Sequence, residues 1–205
     1  MMKITLKPIL ALLMIHVFLL QAGCTVKTRS VSPDDEVIYD EGYHFSDKKK
    51  IVDVMVESLL KKPPLANSTD RPVVVVYGVA NRTSEHISTS GITDDIRQAL
   101  IASGRMKFIN KTQRENIDRE SAYQHGGKVA PETRIKLARQ VGAKYMLTGT
   151  LRSMEKEQPR QIRLKKKVLQ YYSLNMELTD IETSIIEWAD SVEVIREASK
   201  PFIGW

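Results

Sequence analysis

An alternation of apolar and polar residues runs through the C-terminal third of the chain and narrows the fold more than any other feature. Val168, Tyr172, Leu174, Met176 and Leu178 share one parity, opposite Tyr171, Ser173, Asn175, Glu177 and Thr179. A period of two marks a strand with one face buried. Asp180-Ile181-Glu182-Thr183 turns the chain, and Ile186, Trp188, Val192 and Val194 then repeat the alternation. The two long strands are expected to pair as an antiparallel hairpin, half buried.

Upstream, helical and strand periods take turns. Ile51, Val52, Met55, Val56, Leu59 and Leu60 fall at i, i+1, i+4, i+5, i+8 and i+9, one broad stripe of an amphipathic helix. Ser46-Asp47 is expected to cap it, Lys61 and Lys62 suit its C-terminal dipole, and Pro63-Pro64 stop it. Pro72-Val73-Val74-Val75-Val76-Tyr77-Gly78-Val79 is a continuous β-branched run, read as a strand buried on both faces, which Asn81-Arg82-Thr83-Ser84 breaks. Ile92, Ile96 and Leu100 repeat every fourth residue, and Gly104 closes that helix. Met106-Lys107-Phe108-Ile109 reads as a short strand. Thr112-Gln113-Arg114-Glu115 has capping-box spacing before a polar helix with only Ile117, Ala122 and Tyr123 to bury, expected at the surface. Pro131 fits the first turn of a further helix carrying Ile135, Leu137, Ala138 and Val141, with Gly142 past its end, and residues 144–151 read as a strand.

Runs of β and α followed by a β-meander make an α+β domain: a mixed β-sheet with helices packed on one face. Its expected span is 44–198, with a tail at 199–205 whose aromatics pack back on the sheet. A chain of 205 residues, 42% hydrophobic and 27% charged, supports one such domain with an appendage and not two large ones.

The appendage is N-terminal. Lys3 and Lys7, the apolar stretch 9–20 and the small pair Ala22-Gly23 follow the order of an export signal. That stretch is shorter than the ~18–20 residues a membrane-spanning helix needs. The single Cys stands directly after it, at Cys24, which excludes a disulfide framework or a multi-Cys metal site. A lone thiol has no intramolecular partner in an oxidising compartment, so the reading is a lipoprotein signal, 1–23, with lipid on the Cys24 sulfur. Leu20-Gln21-Ala22-Gly23-Cys24 resembles a lipobox, departing from it at Gln21. Multiple acylation makes such an anchor stable, since each buried methylene adds ~0.8 kcal/mol. Thr25 in the second mature position resembles the lipoproteins sent to the outer membrane. Residues 24–43 read as the lipidated Cys and a flexible tether, rich in Ser, Pro, Asp and Glu with no helical period. Without residues 1–23 the chain keeps 29 Lys and Arg against 25 Asp and Glu, a net +4. An exported protein of that charge meets anionic lipid or cell-wall polymer, and nucleic acid is not among its partners.

The sequence carries few groups suited to chemistry. The four His residues, at 16, 44, 86 and 125, include no HExxH pair. Gln124-His125-Gly126-Gly127-Lys128 lacks the first Gly and the final Ser/Thr of a phosphate loop and reads as an exposed loop. There is no Gly-x-Ser-x-Gly elbow, and the only Cys is committed to the N-terminus. The pairs Asp34-Asp35 and Asp94-Asp95 read as solvated surface. No catalytic residue, metal site or cofactor is expected. Two features suggest contact instead. The stretch 160–167 (RQIRLKKK), with Arg160 and Arg163, is either a charged hairpin edge or a patch that steers an acidic partner. Asn81-Arg82-Thr83 is either a turn or a rigid polar feature at the end of a buried strand.

Several of these residues together carry a resemblance. The strand leading into Asn81-Arg82-Thr83, the helix into Ala99-Leu100, Gly104-x-x-Lys107-Phe108, Ala138-Arg139-x-Val141-Gly142-Ala143-x-Tyr145 and Ile186-x-Trp188 resemble the LpoB family of penicillin-binding-protein activators. The resemblance covers roughly residues 44–196. It implies a fold similar to the N-terminal domain of TolB and an outer-membrane lipoprotein facing the periplasm. It further implies a non-enzymatic regulator of peptidoglycan biosynthesis. Such a regulator is a monomer that docks on a small domain of a class A penicillin-binding protein and stimulates glycan-strand polymerisation and cross-linking. Peptidoglycan itself is a further candidate partner. The family's best-known members carry a much longer, Pro-rich tether than residues 25–43. Asn81, Arg82, Thr83, Arg160 and Arg163 are the candidate contacts. The alternative is a structural assembly lipoprotein of the CsgG type, which the 160–178 and 184–195 strands could serve as a barrel hairpin, although Lys165, Lys166, Lys167 and Glu187 argue against lipid contact.

Overall fold

The computed structural model describes residues 28–32, 35–134, 142–158 and 165–201. The signal and Cys24 lie outside the described residues. All the described regular structure belongs to one unit, Glu36–Trp205.

Helix α1, Phe45–Lys61, buries Ile51, Val52, Met55 and Leu59, with Val56 and Leu60 partly covered, which is the stripe that the spacing predicts. Its start differs. The N-cap is His44, not Ser46. Asp47, at the third helical position, accepts the His44 amide at 2.8 Å and so satisfies a donor left over at the helix start. The His44 ring bonds the Asp40 carbonyl oxygen at 2.9 Å, while the Ser46 hydroxyl is buried inside the first turn without a partner. Order therefore begins before the expected boundary. Tyr43 packs edge-on against Tyr172 with ring centroids 5.4 Å apart, so the end of the predicted tether belongs to the domain.

Strand β1, Val73–Arg82, is buried on both faces at Val74 and Val75, as its valines suggest, but not along its second half. Its register passes from Val76↔Leu147 to Gly78↔Thr148, leaving Tyr77 as an extra residue. Gly78 takes φ +98, a conformation that favours glycine, and the bulge resets parity. Val74, Val76 and Val79 thereby all reach the core cluster, while Tyr77 is turned out at 58% exposure. The strand also runs on through Asn81 and Arg82 instead of breaking there. Helix α2, Thr89–Ala102, buries Ile92, Ile96 and Leu100 and staples the bulge. Thr93 Oγ1 accepts from the Val79 amide (3.1 Å) and Thr89 Oγ1 donates to the Val79 carbonyl (2.6 Å).

Strand β2 is only Lys107–Phe108. The capping box expected at Thr112 does not form, because Lys111–Gln113 is a 3₁₀ turn and α3, Arg114–Tyr123, starts after Gln113. Thr112 Oγ1 donates to Asn110 Oδ1 instead (3.0 Å). Helix α3 buries none of its residues and lies at the surface as expected. Gln124–Lys128 continues it as a π turn, and Pro131–Thr133 is a 3₁₀ turn. The helix expected over 135–141 lies outside the described residues.

Strands β3 (Tyr145–Glu157), β4 (Lys165–Asp180) and β5 (Ile186–Pro201) complete a sheet of order β2-β1-β3-β4-β5. β1 is parallel to β2 and β3, whereas β3, β4 and β5 run antiparallel. The predicted hairpin is present, with Val168, Tyr172, Leu174, Met176, Leu178, Trp188, Val192 and Val194 buried. Ile186 is the exception at 52% exposure, and the register shifts where it pairs with Thr179. Residues 199–201 are strand and not tail. Helix α1 packs on β5, α2 packs on β1, and the two touch each other over one face of the sheet. Gly149 keeps the centre of that face close. A Cβ there would stand 3.1 Å from both Met176 Cγ and Val79 Cγ2. The result is the expected α+β domain.

Candidate functional site

The loop after β1 is built by the side chains that the sequence singled out. Asn81 Nδ2 donates to the carbonyls of Glu85 (3.0 Å) and Ile87 (3.1 Å), and its Oδ1 accepts from the Thr83 amide (2.9 Å). Thr83 Oγ1 lies 2.7 Å from Asn81 Oδ1 and accepts from the Glu85 amide at 3.2 Å. These bonds close the turn locally, as Asn and Thr side chains do in Asx and ST turns. The loop is also tied to the sheet. The Ser84 amide donates to Ser153 Oγ (3.1 Å), and the Glu85 carboxylate accepts from Gln170 Nε2 (3.3 Å) and from the Tyr172 hydroxyl. Asn81 and Thr83 are thus occupied in holding the loop.

Arg82 is not. It is exposed, and its register neighbour on β3 is a second exposed arginine, Arg152. Neither guanidinium has a hydrogen bond or ion pair among the described residues. Arg160 and Arg163 lie outside the described residues, and Lys167 from the same basic stretch bridges Glu197 at 2.6 Å. Sequence reasoning missed Arg152 because it ended β3 at Leu151. The stretch Arg152-Ser153-Met154-Glu155-Lys156 carries no apolar–polar alternation that would extend the strand.

Behind the loop lies a polar seam. Asp47 and Arg196, with side chains 4% and 11% exposed, form an ion pair that pins the start of α1 to β5. Burial raises the pKa of Tyr43, with the Asp47 carboxylate adding to it, and burial followed by the Glu85 carboxylate raises that of Tyr172. Both phenols therefore stay protonated, and that of Tyr172 donates to the Glu85 carboxylate. At the other end of α1, a hydrogen bond from Lys62, then one from Ser58, lowers Asp190 to about 2. Each of these shifts moves its group away from neutrality, the reverse of what general acid–base chemistry at pH 7 uses.

A cleft of about 330 Å³ opens between β1, the first half of α2 and residues 109–112. Lys111 Nζ sits 3.8 Å from the Tyr77 ring centroid, and Arg97 bridges Asp94 at 2.7 Å, so its charged groups are already engaged. Among the described residues no group of three His, Cys, Asp or Glu is placed to hold a metal ion, and no helix is long and apolar enough to cross a membrane.

Comparison with known proteins gives the following. The C-terminal domain of LpoB from Salmonella enterica is 21% identical, aligned over 72% of this chain and 98% of that one with a TM-score of 0.46. The corresponding domain from Escherichia coli is 22% identical over the same shares, also with a TM-score of 0.46. The NMR structure of Escherichia coli LpoB is 19% identical over 87% of this chain and 85% of that one, TM-score 0.44. No relative among curated proteins matches. A family model described as peptidoglycan-synthase activator LpoB matches residues 47–194, from the first turn of α1 to the buried end of β5. The chain belongs to the LpoB family of peptidoglycan-synthase activators.

Proposed function

We propose that this chain is a lipid-anchored adaptor that binds a class A penicillin-binding protein and raises its rate of glycan-strand polymerisation, and of cross-linking with it, without chemistry of its own. The family match over residues 47–194 carries this reading, because it spans both helices of the core, the Arg82 loop and the hairpin together. The assembly-lipoprotein reading draws no support from it.

The mechanism is a difference in affinity. An activator that binds the working conformation of a synthase better than the resting one shifts the population toward it, and neither side need make or break a bond. A tenfold stimulation requires the two affinities to differ by ~1.4 kcal/mol. Lipid on Cys24 holds the adaptor at the outer membrane, facing the periplasm, and raises its effective concentration near the wall. Because the compact unit begins at Glu36, the chain between Cys24 and it is 11 residues, about 40 Å at full stretch of ~3.6 Å each. The domain acts as a monomer and Arg82 is a contact residue, with Arg160 and Arg163 steering the encounter from the hairpin end.

The test is stimulation of a purified class A synthase by the wild-type protein and by Arg82→Glu. The reversal is expected to weaken stimulation about tenfold with an unchanged circular-dichroism melt. Wild-type stimulation by the variant would remove Arg82 from the contact. Mass spectrometry of the processed N-terminal peptide is expected to find acyl chains on Cys24, and a bare thiol there would remove the anchor.

A further inference from the structure

The helices cover one face of the sheet, and the register fixes what the other face presents. On β3 the residues turned away from the helices include Arg152, Met154 and Lys156, and on β4 and β5 their neighbours form rows. Arg152 opposes Ser173, which opposes Glu193; Met154 opposes Tyr171, which opposes Ile195; Lys156 opposes Leu169, which opposes Glu197. Neighbours within a row stand about 5 Å apart and successive rows about 7 Å apart.

Met154 and Ile195 are each 61% exposed and Leu169 is 41% exposed, so the centre of this grid is a contiguous apolar patch spanning three strands. Single exposed apolar residues are ordinary, whereas a contiguous patch of them on a sheet face is a contact surface in search of cover. Its charges are sorted by strand. The acids on β5 are engaged, Glu193 by the Tyr171 hydroxyl at 2.7 Å and Glu197 by Lys167 at 2.6 Å. On the β1 and β3 side, Arg82, Arg152 and Lys156 have no acidic partner among the described residues. The surface therefore offers an apolar centre, an aromatic ring, and a row of cations on one side only. Met, Tyr and Arg are the types enriched where proteins meet.

We infer that this open face is the docking surface, and that its occupant is a protein surface presenting carboxylates toward Arg82 and Arg152 beside apolar side chains that cover Met154, Tyr171 and Ile195. This rests on the activator reading and deepens it: the occupant is the synthase's docking domain, and the helices are turned away from it. Reversing the free cations removes attraction and adds repulsion, whereas trimming Met154 and Ile195 removes buried area without touching charge. The two kinds of substitution therefore act independently on the same interface.

The experiment measures binding of the full chain, processed and held in detergent, to a detergent-solubilised class A synthase on a biosensor. Four proteins are compared: wild type, Arg82→Glu with Arg152→Glu, Met154→Ser with Ile195→Ser, and a control of equal charge change on α3, Arg114→Glu with Arg119→Glu. The arginine pair is expected to lose at least 30-fold in affinity and the apolar pair about tenfold, while the control stays within threefold. Should the Glu pair fail to melt cooperatively, Arg82→Gln with Arg152→Gln carries the same comparison, with about tenfold loss expected. If wild type binds and both open-face variants bind equally well, the docking surface is wrong and the activator reading stands. If wild type neither binds nor stimulates any class A synthase, the activator reading itself fails, and this inference with it. Arginine-dependent sedimentation with phosphatidylglycerol vesicles, alongside arginine-independent synthase binding, would assign the face to a membrane and overturn the proposal.

Discussion

The two faces of the sheet use the same strands and backbone ladder, yet they are made for different tasks. On the covered face Leu147, Leu151, Leu174 and Leu178 are fully buried under α1 and α2. Two carboxylates there are paired across elements, Asp47 with Arg196 and Asp190 with Lys62 and Ser58. On the open face Met154 and Ile195 are mostly exposed, and Arg82 and Arg152 stand side by side with no counter-charge among the described residues. Adjacent like charges and uncovered apolar groups contribute nothing to folding, so their position side by side points to a second molecule. The contrast separates what holds the domain together from what it touches.

The largest expected effect lies on the covered face. Arg196→Ala leaves the Asp47 carboxylate buried without its partner, and losing one member of a buried pair costs about 3–5 kcal/mol. The urea midpoint of the variant against wild type measures it, and a loss below about 1 kcal/mol would show that the seam between α1 and β5 is wetter than its burial indicates. Next, Leu174→Ala removes a fully buried side chain at the centre of the core and is expected to cost about 3 kcal/mol. Synthase binding by whatever fraction remains folded should be unchanged, since Leu174 faces away from the docking surface.

A smaller effect is tied to pH. The hydrogen bond from Lys62, then that from Ser58, holds the folded-state pKa of Asp190 down to about 2, below the ordinary carboxylate value. A depressed folded-state pKa stabilises above the unfolded value near ~4, and that contribution is lost as pH falls toward 2. Because Lys62 is half exposed, the pair is worth about 1 kcal/mol and not the full shift. Asp190→Asn should therefore be less stable than wild type by about that amount at pH 7, with the gap closing by pH 2. A gap that persists at pH 2 would mean that the ionised carboxylate is not its source. Smallest of all, Met154→Ser with Ile195→Ser should change stability by less than about 0.5 kcal/mol, the usual range for surface substitutions. A loss like that of Leu174→Ala would make the open face a second core and erase the contrast.

Much of the covered face was legible because burial writes a period into the sequence. Residues 168–178 and the stripe from Ile51 to Leu60 placed the hairpin and α1. Where a single backbone conformation decides, the pattern misleads. The Val73-to-Val76 run is buried on both faces at Val74 and Val75, but beyond it the Tyr77-Gly78 bulge resets the parity, and no composition signal announces a positive φ at one glycine. Caps were ambiguous for a similar reason. Ser46 and Thr112 are good capping residues, but His44 with Asp47 and a 3₁₀ turn before Arg114 took those places. The candidate site was half legible. Arg82 drew notice from its position after a strand, while Arg152 and Met154 belong to it only through strand pairing, a long-range relation that local spacing does not encode.

The most direct test of the whole account follows glycan-strand polymerisation from lipid-linked substrate, continuously, with the chain alone, with a class A synthase alone, and with both. The account predicts no product from the chain alone, a rate with both that is several-fold above the synthase alone, and loss of that increment with the Arg82→Glu, Arg152→Glu pair. Product from the chain alone would contradict it, as would an increment that the charge reversal leaves intact.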